Sequence, residues 1–288
     1  MASIENDYLK ISANTKGAEL DSIFHKQQQL EYLWSGDPAF WGKKSPVLFP
    51  IVGTLRENKY LYEGNEYSLS RHGFARDCEF ELENESANEI TFLLKSDEQT
   101  KAIYPFDFEF RVSYSLQRNA LHVTYDVRNT GEHEMFFSVG GHPAFKVPLV
   151  KGTSYEDYFL EFEQEETAKR HLLNADGLIE SSEDFLRSSN RINLSKELFS
   201  RDALVLKQIH SGMVSLLSEK TERGLNFYFD GFPFLGFWAA KDADFLCIEP
   251  WCGVADSVNH SRQLEKKEGI ISLKPHKTFT VVWSVECF

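Results

Sequence analysis

A chain of 288 residues, 42% hydrophobic and with 24 phenylalanines, can bury a sizeable core; length alone leaves one large β domain or two ordinary ones open. A formal net charge of -13 argues against nucleic acid, whose phosphates demand clustered Lys and Arg, and suits anionic membrane surfaces poorly. The four cysteines, Cys78, Cys247, Cys252 and Cys287, show neither disulfide-framework density nor paired zinc spacing; they read as reduced core or near-core thiols of a cytoplasmic protein.

The opening "MASIENDYLKISANTKG" has no basic segment followed by an apolar one, so no secretory signal is expected. No apolar run approaches the roughly 20 residues that span a bilayer. Strand signals begin with "YLKIS" and continue through "KYLYEGNEYSLS", "EFELENESANEITFLLKS", "FEFRVSYSLQRNALHVTYDVRNTG" and "MFFSVGG". These alternate apolar and polar residues or are rich in Phe, Tyr, Val and Ile. Turn residues break them at Glu63-Gly64-Asn65, Asn84-Glu85-Ser86, Arg118-Asn119 and Asn129-Thr130-Gly131. The second half adds "YFLEFEQEE", "GMVSLLSE", "LNFYFDGFPFLGFWAA", "FLCIEPW", "GIISLKP" and "TFTVVWSVECF". Helical periods are weak: a short helix over "DPAFWGKK" and a turn of helix at "SKELFS", capped by Ser195, are the only ones expected. No repeat or linker divides the chain. The expectation is a single all-β domain over residues 1–288, an antiparallel sandwich, barrel or layered sheet assembly.

Three stretches could carry chemistry. In "MFFSVGGHPAFKVPL", Gly140 and Gly141 leave room beside His142, and Pro143 pushes that histidine toward extended backbone at a strand end. In "DADFLCIEPWCGVADSVNH", Glu249 closes an apolar strand and is again followed by proline. A carboxylate there needs a partner or a task, either as a general base tuned by burial or as a structural cap on the next turn. A third stretch, residues 45–80, holds Arg56, His72 and Arg76, suitable donors to sugar hydroxyls or phosphate and equally suitable as surface or ion-paired residues. Trp34, Trp41, Trp238 and Trp251 could be sugar-packing faces or core. No HxH pair, HExxH helix or calcium loop appears, and no dinucleotide, nucleoside-triphosphate or GxSxG motif, so neither metal nor organic cofactor is expected.

The segments "LFPIVGTLRENKYLYEGNEYSLSRHGFAR", "SVGGHPAFKVPL", "RDALVL" and "CIEPWCGVADSVN" together resemble the aldose 1-epimerase, or galactose mutarotase-like, family, and most closely its LacX-type branch. The resemblance implies a large antiparallel β-sandwich, the supersandwich of that family. It implies His142 as general acid toward the sugar ring oxygen and Glu249 as general base on the anomeric hydroxyl. Arg56, His72 and Asp202 fall at sugar-contacting positions, and Arg76 belongs to the HGFAR element. Where mutarotases carry Pro-Asp after the glutamate strand, this chain has Ala255-Asp256, and Pro250 follows the glutamate where galactose mutarotases have threonine. Those departures bear on the substrate. The reaction expected is interconversion of the α and β anomers of a hexose or hexose phosphate, a small-molecule sugar being the partner. The rivals are a non-catalytic sugar sensor on the same scaffold and a glycoside hydrolase using Asp202 and Glu249.

Overall fold

A computed structural model describes residues 1–288. The alternation seen in the sequence forms the sheets. Phe108–Gln117 and Ala120–Asn129 pair antiparallel along their whole length, from Phe108 opposite Asn129 to Gln117 opposite Ala120. Every second residue of Phe108–Gln117 is buried, as the two-residue side-chain period of a strand requires. Arg118 takes a φ of 52° in the turn between them. In the hairpin Lys59–Tyr62 to Asn65–Ser68, Glu63 and Gly64 both have positive φ, which suits the right-handed twist of the strands they join.

The chain is built almost wholly from antiparallel strands. A four-stranded sheet runs from Ala2–Glu5 to Leu30–Glu31, and a 15-stranded sheet carries most of the rest. One apolar cluster of 72 buried residues joins them, containing Leu9, Ile11 and Ile23 of the small sheet with Phe92, Phe110 and Val112 of the large one. The Tyr114 hydroxyl donates to Ala18 O at 2.6 Å across that junction. The longest helix is Glu98–Ile103, capped reciprocally by Asp97 and Thr100; no helix is long and apolar enough to cross a membrane.

The expected helix at "DPAFWGKK" is instead a turn. Asp37 Oδ1 accepts from Ala39 N–H, and Asp37 O from Phe40 and Trp41 N–H, which satisfies the local donors without a helix. The expected turn at "SKELFS" is a 3-10 helix, Lys196–Phe199, and the Ser195 side chain makes no capping bond.

Candidate active site

Strand register places the central pair. Val139–Gly141 and Ala144–Lys146 both lie antiparallel to Phe245–Cys252, with Gly140 opposite Trp251 and Ala144 opposite Cys247. Carrying that register through the interruption between the two short strands sets His142 opposite Glu249. Their Nε2 and Oε2 atoms are 3.2 Å apart. The two atoms form no hydrogen bond, and Glu249 Oε2 is buried without a partner; on the other side of the ring, His142 Nδ1 is also buried without one.

Phe245–Cys252 does not close at Glu249, as expected from Pro250, but runs on to Cys252 with all eight residues buried. The proline is tolerated because its missing N–H falls beside the interruption in the neighbouring strands, where no ladder bond is lost. Gly140 and Gly141 make room for protein, not ligand. A Cβ on Gly140 would come 2.8 Å from Trp251 Cδ1, and one on Gly141 2.8 Å from the Tyr125 hydroxyl.

His142 and Glu249 face a pocket of about 280 Å³ whose wall also includes Trp41, Arg71, His72, Arg76, Asp202, Trp238 and Trp251. The Trp41 ring stacks on His142, centroids 4.9 Å apart, and Trp238 meets it edge-on. Trp34 does not reach the pocket; it is core and donates its indole N–H to Trp41 O. Burial dominates the electrostatics. It pushes the His142 imidazole down to about 3, with Arg71 adding to the effect, and holds Glu249 well above the usual carboxylate range against the pull of Arg71. Burial thus favours the same arrangement at both groups, a neutral imidazole beside a protonated carboxyl.

His72 is fixed by a reciprocal pair of bonds: its N–H donates to Gly53 O at 2.9 Å, and Gly53 N–H donates to its Nδ1 at 3.2 Å. Since Nδ1 accepts, the ring proton sits on Nε2 and is available as a donor. Burial, then the neighbouring His142 and arginines, keep this ring neutral well below the ordinary histidine range. Arg71 grips Asp202 through both terminal nitrogens, each 3.3 Å from a different carboxylate oxygen. Asp202 Oδ1 also accepts from Ala203 N–H, and Arg76 Nη2 donates to Arg71 O at 2.8 Å. His72 and Asp202 have φ of 70° and 68°, a left-handed conformation that costs non-glycine residues of order 1 kcal/mol and clusters at ligand-handling positions.

Five of the six residues marked in the sequence thus meet at one pocket: His142, Glu249, His72, Asp202 and Arg76. Arg56 does not. Its guanidinium donates to His260 O and its backbone N–H to Asp256, so it ties the 53–56 turn to the loop after the glutamate strand. Arg71 occupies the pocket instead. Asp256, from the divergent Ala-Asp pair, is buried beside the fully buried Lys267, 3.1 Å away.

The chain belongs to the aldose 1-epimerase family, whose model matches residues 1–284. It is 36% identical to the plasmid-encoded protein LacX of Lactococcus lactis subsp. lactis over 285 residues, 96% of this chain and 95% of that one. Among solved structures it is similar to a galactose mutarotase related enzyme from Lactobacillus acidophilus, with a TM-score of 0.96 and 37% identity, covering 100% of this chain and 97% of the other. A galactose mutarotase-like protein from Lactobacillus casei aligns over the full length of both chains, with a TM-score of 0.94 and 29% identity. The large antiparallel β fold is accordingly galactose mutarotase-like.

Proposed function

We propose that this protein is an aldose 1-epimerase that interconverts the α and β anomers of a hexose or hexose phosphate, with His142 and Glu249 as its acid–base pair. The observation that carries the reading is the 3.2 Å approach of His142 Nε2 to Glu249 Oε2 at the pocket wall. The two oxygens that must exchange protons, O1 and O5, are bonded to the same sugar carbon, so acid and base must themselves be neighbours.

The pair needs only its one proton. In the reactive arrangement Glu249 is the carboxylate, favoured by Arg71 nearby, and His142 holds the proton. Glu249 removes the O1 proton as His142 protonates O5; the C1–O5 bond breaks and C1=O1 forms. The proton now sits on Glu249 and His142 is neutral, the distribution that burial favours. After rotation about C1–C2 the ring closes on the other face by the reverse transfers, as reversibility requires. The Nε2–H of His72 and the guanidinium of Arg71 are donors for the sugar hydroxyls and the open-chain aldehyde, and Trp41, Trp238 and Trp251 offer apolar faces to the ring.

The hydrolase alternative fits less well. Both Asp202 oxygens are already engaged by Arg71, a geometry for positioning a ligand, not for protonating a leaving group. The test is NMR exchange spectroscopy of anomer interconversion with glucose, galactose and their 6-phosphates. Wild type should accelerate exchange of at least one, and His142→Asn should lose about 10²–10⁴-fold of the rate while remaining folded. Wild-type exchange in the folded variant would refute the assignment; tight binding with no exchange in wild type would make the protein a sensor.

A further inference from the structure

A third side chain that could hold a metal stands with the acid–base pair. His142, Cys247 and Glu249 each place a ligand atom within 4.8 Å of the other two, and all three residues are buried. Cys247 and Glu249 are two positions apart on Phe245–Cys252, so their side chains share one face of the sheet. The chemistry of the proposed reaction gives the thiol no task.

We propose that His142, Cys247 and Glu249 form a Zn²⁺ site, and that the bound ion silences the acid–base pair. The donors are one imidazole nitrogen, one sulfur and one carboxylate oxygen, the set that zinc takes in tetrahedral sites. Three protein ligands leave the fourth position for water or a sugar hydroxyl from the pocket. Mg²⁺ and Ca²⁺ require several hard oxygen ligands, and this trio offers one carboxylate. Zinc–ligand bonds of about 2.0–2.3 Å suit the 3.2 Å between His142 Nε2 and Glu249 Oε2 and ask the thiol to approach by roughly 1 Å, within reach of side-chain rotation.

Charge balance favours the ion more than any single group suggests. Zn²⁺ bound to one thiolate, one carboxylate and a neutral imidazole carries no net charge, so the desolvation that opposes each anion is largely cancelled. Glu249 Oε2 has no hydrogen bond to surrender. Cys247 does not line the pocket, so the ion reaches it only by way of the other two ligands.

Zinc uptake and cobalt spectra do not depend on the epimerase reading; the silencing does. The full-length protein, stripped with EDTA, is titrated with ZnCl₂ against a chromogenic chelator and with CoCl₂ in a spectrophotometer. One tight Zn²⁺ per chain, a thiolate-to-cobalt charge-transfer band, and loss of anomer exchange restored by EDTA are expected. Cys247→Ala should keep exchange, lose the band and weaken zinc binding at least tenfold; Cys247→Ser, closer in shape, should do the same should the alanine variant fold poorly. Glu249→Gln should weaken uptake without altering the packing volume. Absence of stoichiometric uptake by wild type, or wild-type affinity in the cysteine variants, overturns the site. Cysteine-dependent uptake in a protein that exchanges no sugar anomers keeps the site and removes the epimerase reading.

Discussion

Burial dominates the protonation of His142 and Glu249, and it leaves a signature in stability. In the unfolded chain the two groups titrate near 6.5 and 4.5; between those values the unfolded pair carries one proton, on the histidine. Folding lowers the histidine and raises the glutamate, so their contributions to the pH slope oppose each other there. Below 4.5 the unfolded chain takes a second proton that the folded pair resists, and stability falls with pH. The raised glutamate acts the other way: its contribution to stability falls as pH rises above 4.5, until the folded carboxyl ionises. His72 has no compensating carboxyl: held neutral when folded, it loses stability as pH drops below its ordinary 6.5. Wild type should therefore lose about 1.5 kcal/mol more than His72→Asn between pH 6.5 and pH 5, read from urea unfolding at both. Equal losses would mean that the ring is protonated in the folded protein. For Arg71→Lys, the two-pronged hold on Asp202 cannot be reproduced by an ammonium, and KM for the sugar should rise tenfold or more with a smaller change in kcat. Arg71 escaped the sequence reading because His72 and Gly73, both at positive φ, reverse the chain. Spacing cannot tell which of Arg56, Arg71 and Arg76 such a turn delivers.

At the scale of the element, turns and strands differ in how openly the sequence declares them. Phe108–Gln117, Ala120–Asn129 and Thr278–Cys287 announce themselves by alternation, and the loop pair Glu63-Gly64 by its residues. Ile179–Asn193 does not. Apart from one bridge of Ile179 to Ser257, it pairs with Tyr158–Leu173, is mostly exposed along its 15 residues, and its Ser-, Glu- and Arg-rich sequence fits an edge protected against further pairing, not an apolar face. The site elements were legible as two proline-marked apolar strands, but their mutual register, which sets His142 across from Glu249, is a long-range property. Two glycines test how turns support the site. Gly64, with φ 78°, has open space where a Cβ would go; Gly73, with φ 73°, would drive one to 2.3 Å from Phe49 O. Gly64→Ala should cost about 1 kcal/mol, the penalty of a left-handed alanine, whereas Gly73→Ala adds a collision with backbone that cannot move aside. We expect the second to be at least 2 kcal/mol worse in denaturant unfolding and to lower exchange by displacing His72. Equal costs for the two variants would show that the loop holding His72 is soft.

The whole molecule hangs on its last strand. In the large sheet Thr278–Cys287 lies between Ala120–Asn129 on one side and Thr221–Tyr228 on the other. The strands from Glu81–Glu85 to Ala120–Asn129 reach the site-bearing strands of the same sheet only through it. Within the core, Trp283 stacks on Phe227, centroids 5.2 Å apart, and donates its indole N–H to the Tyr125 hydroxyl at 3.0 Å. One strand thus packs and hydrogen-bonds both halves, and the 72-residue cluster draws on residues from Ala2 to Cys287. We infer that residues 1–288 fold as one unit despite a length that could supply two. Calorimetry should show one transition with equal calorimetric and van't Hoff enthalpies, and removal of residues 278–288 should abolish the transition altogether. Pairing between sequence-distant strands must then form before any half is stable, which predicts slow folding, in seconds or longer. Two resolved transitions, or a truncated chain that keeps half the unfolding enthalpy, would divide the molecule at that strand into separately stable parts.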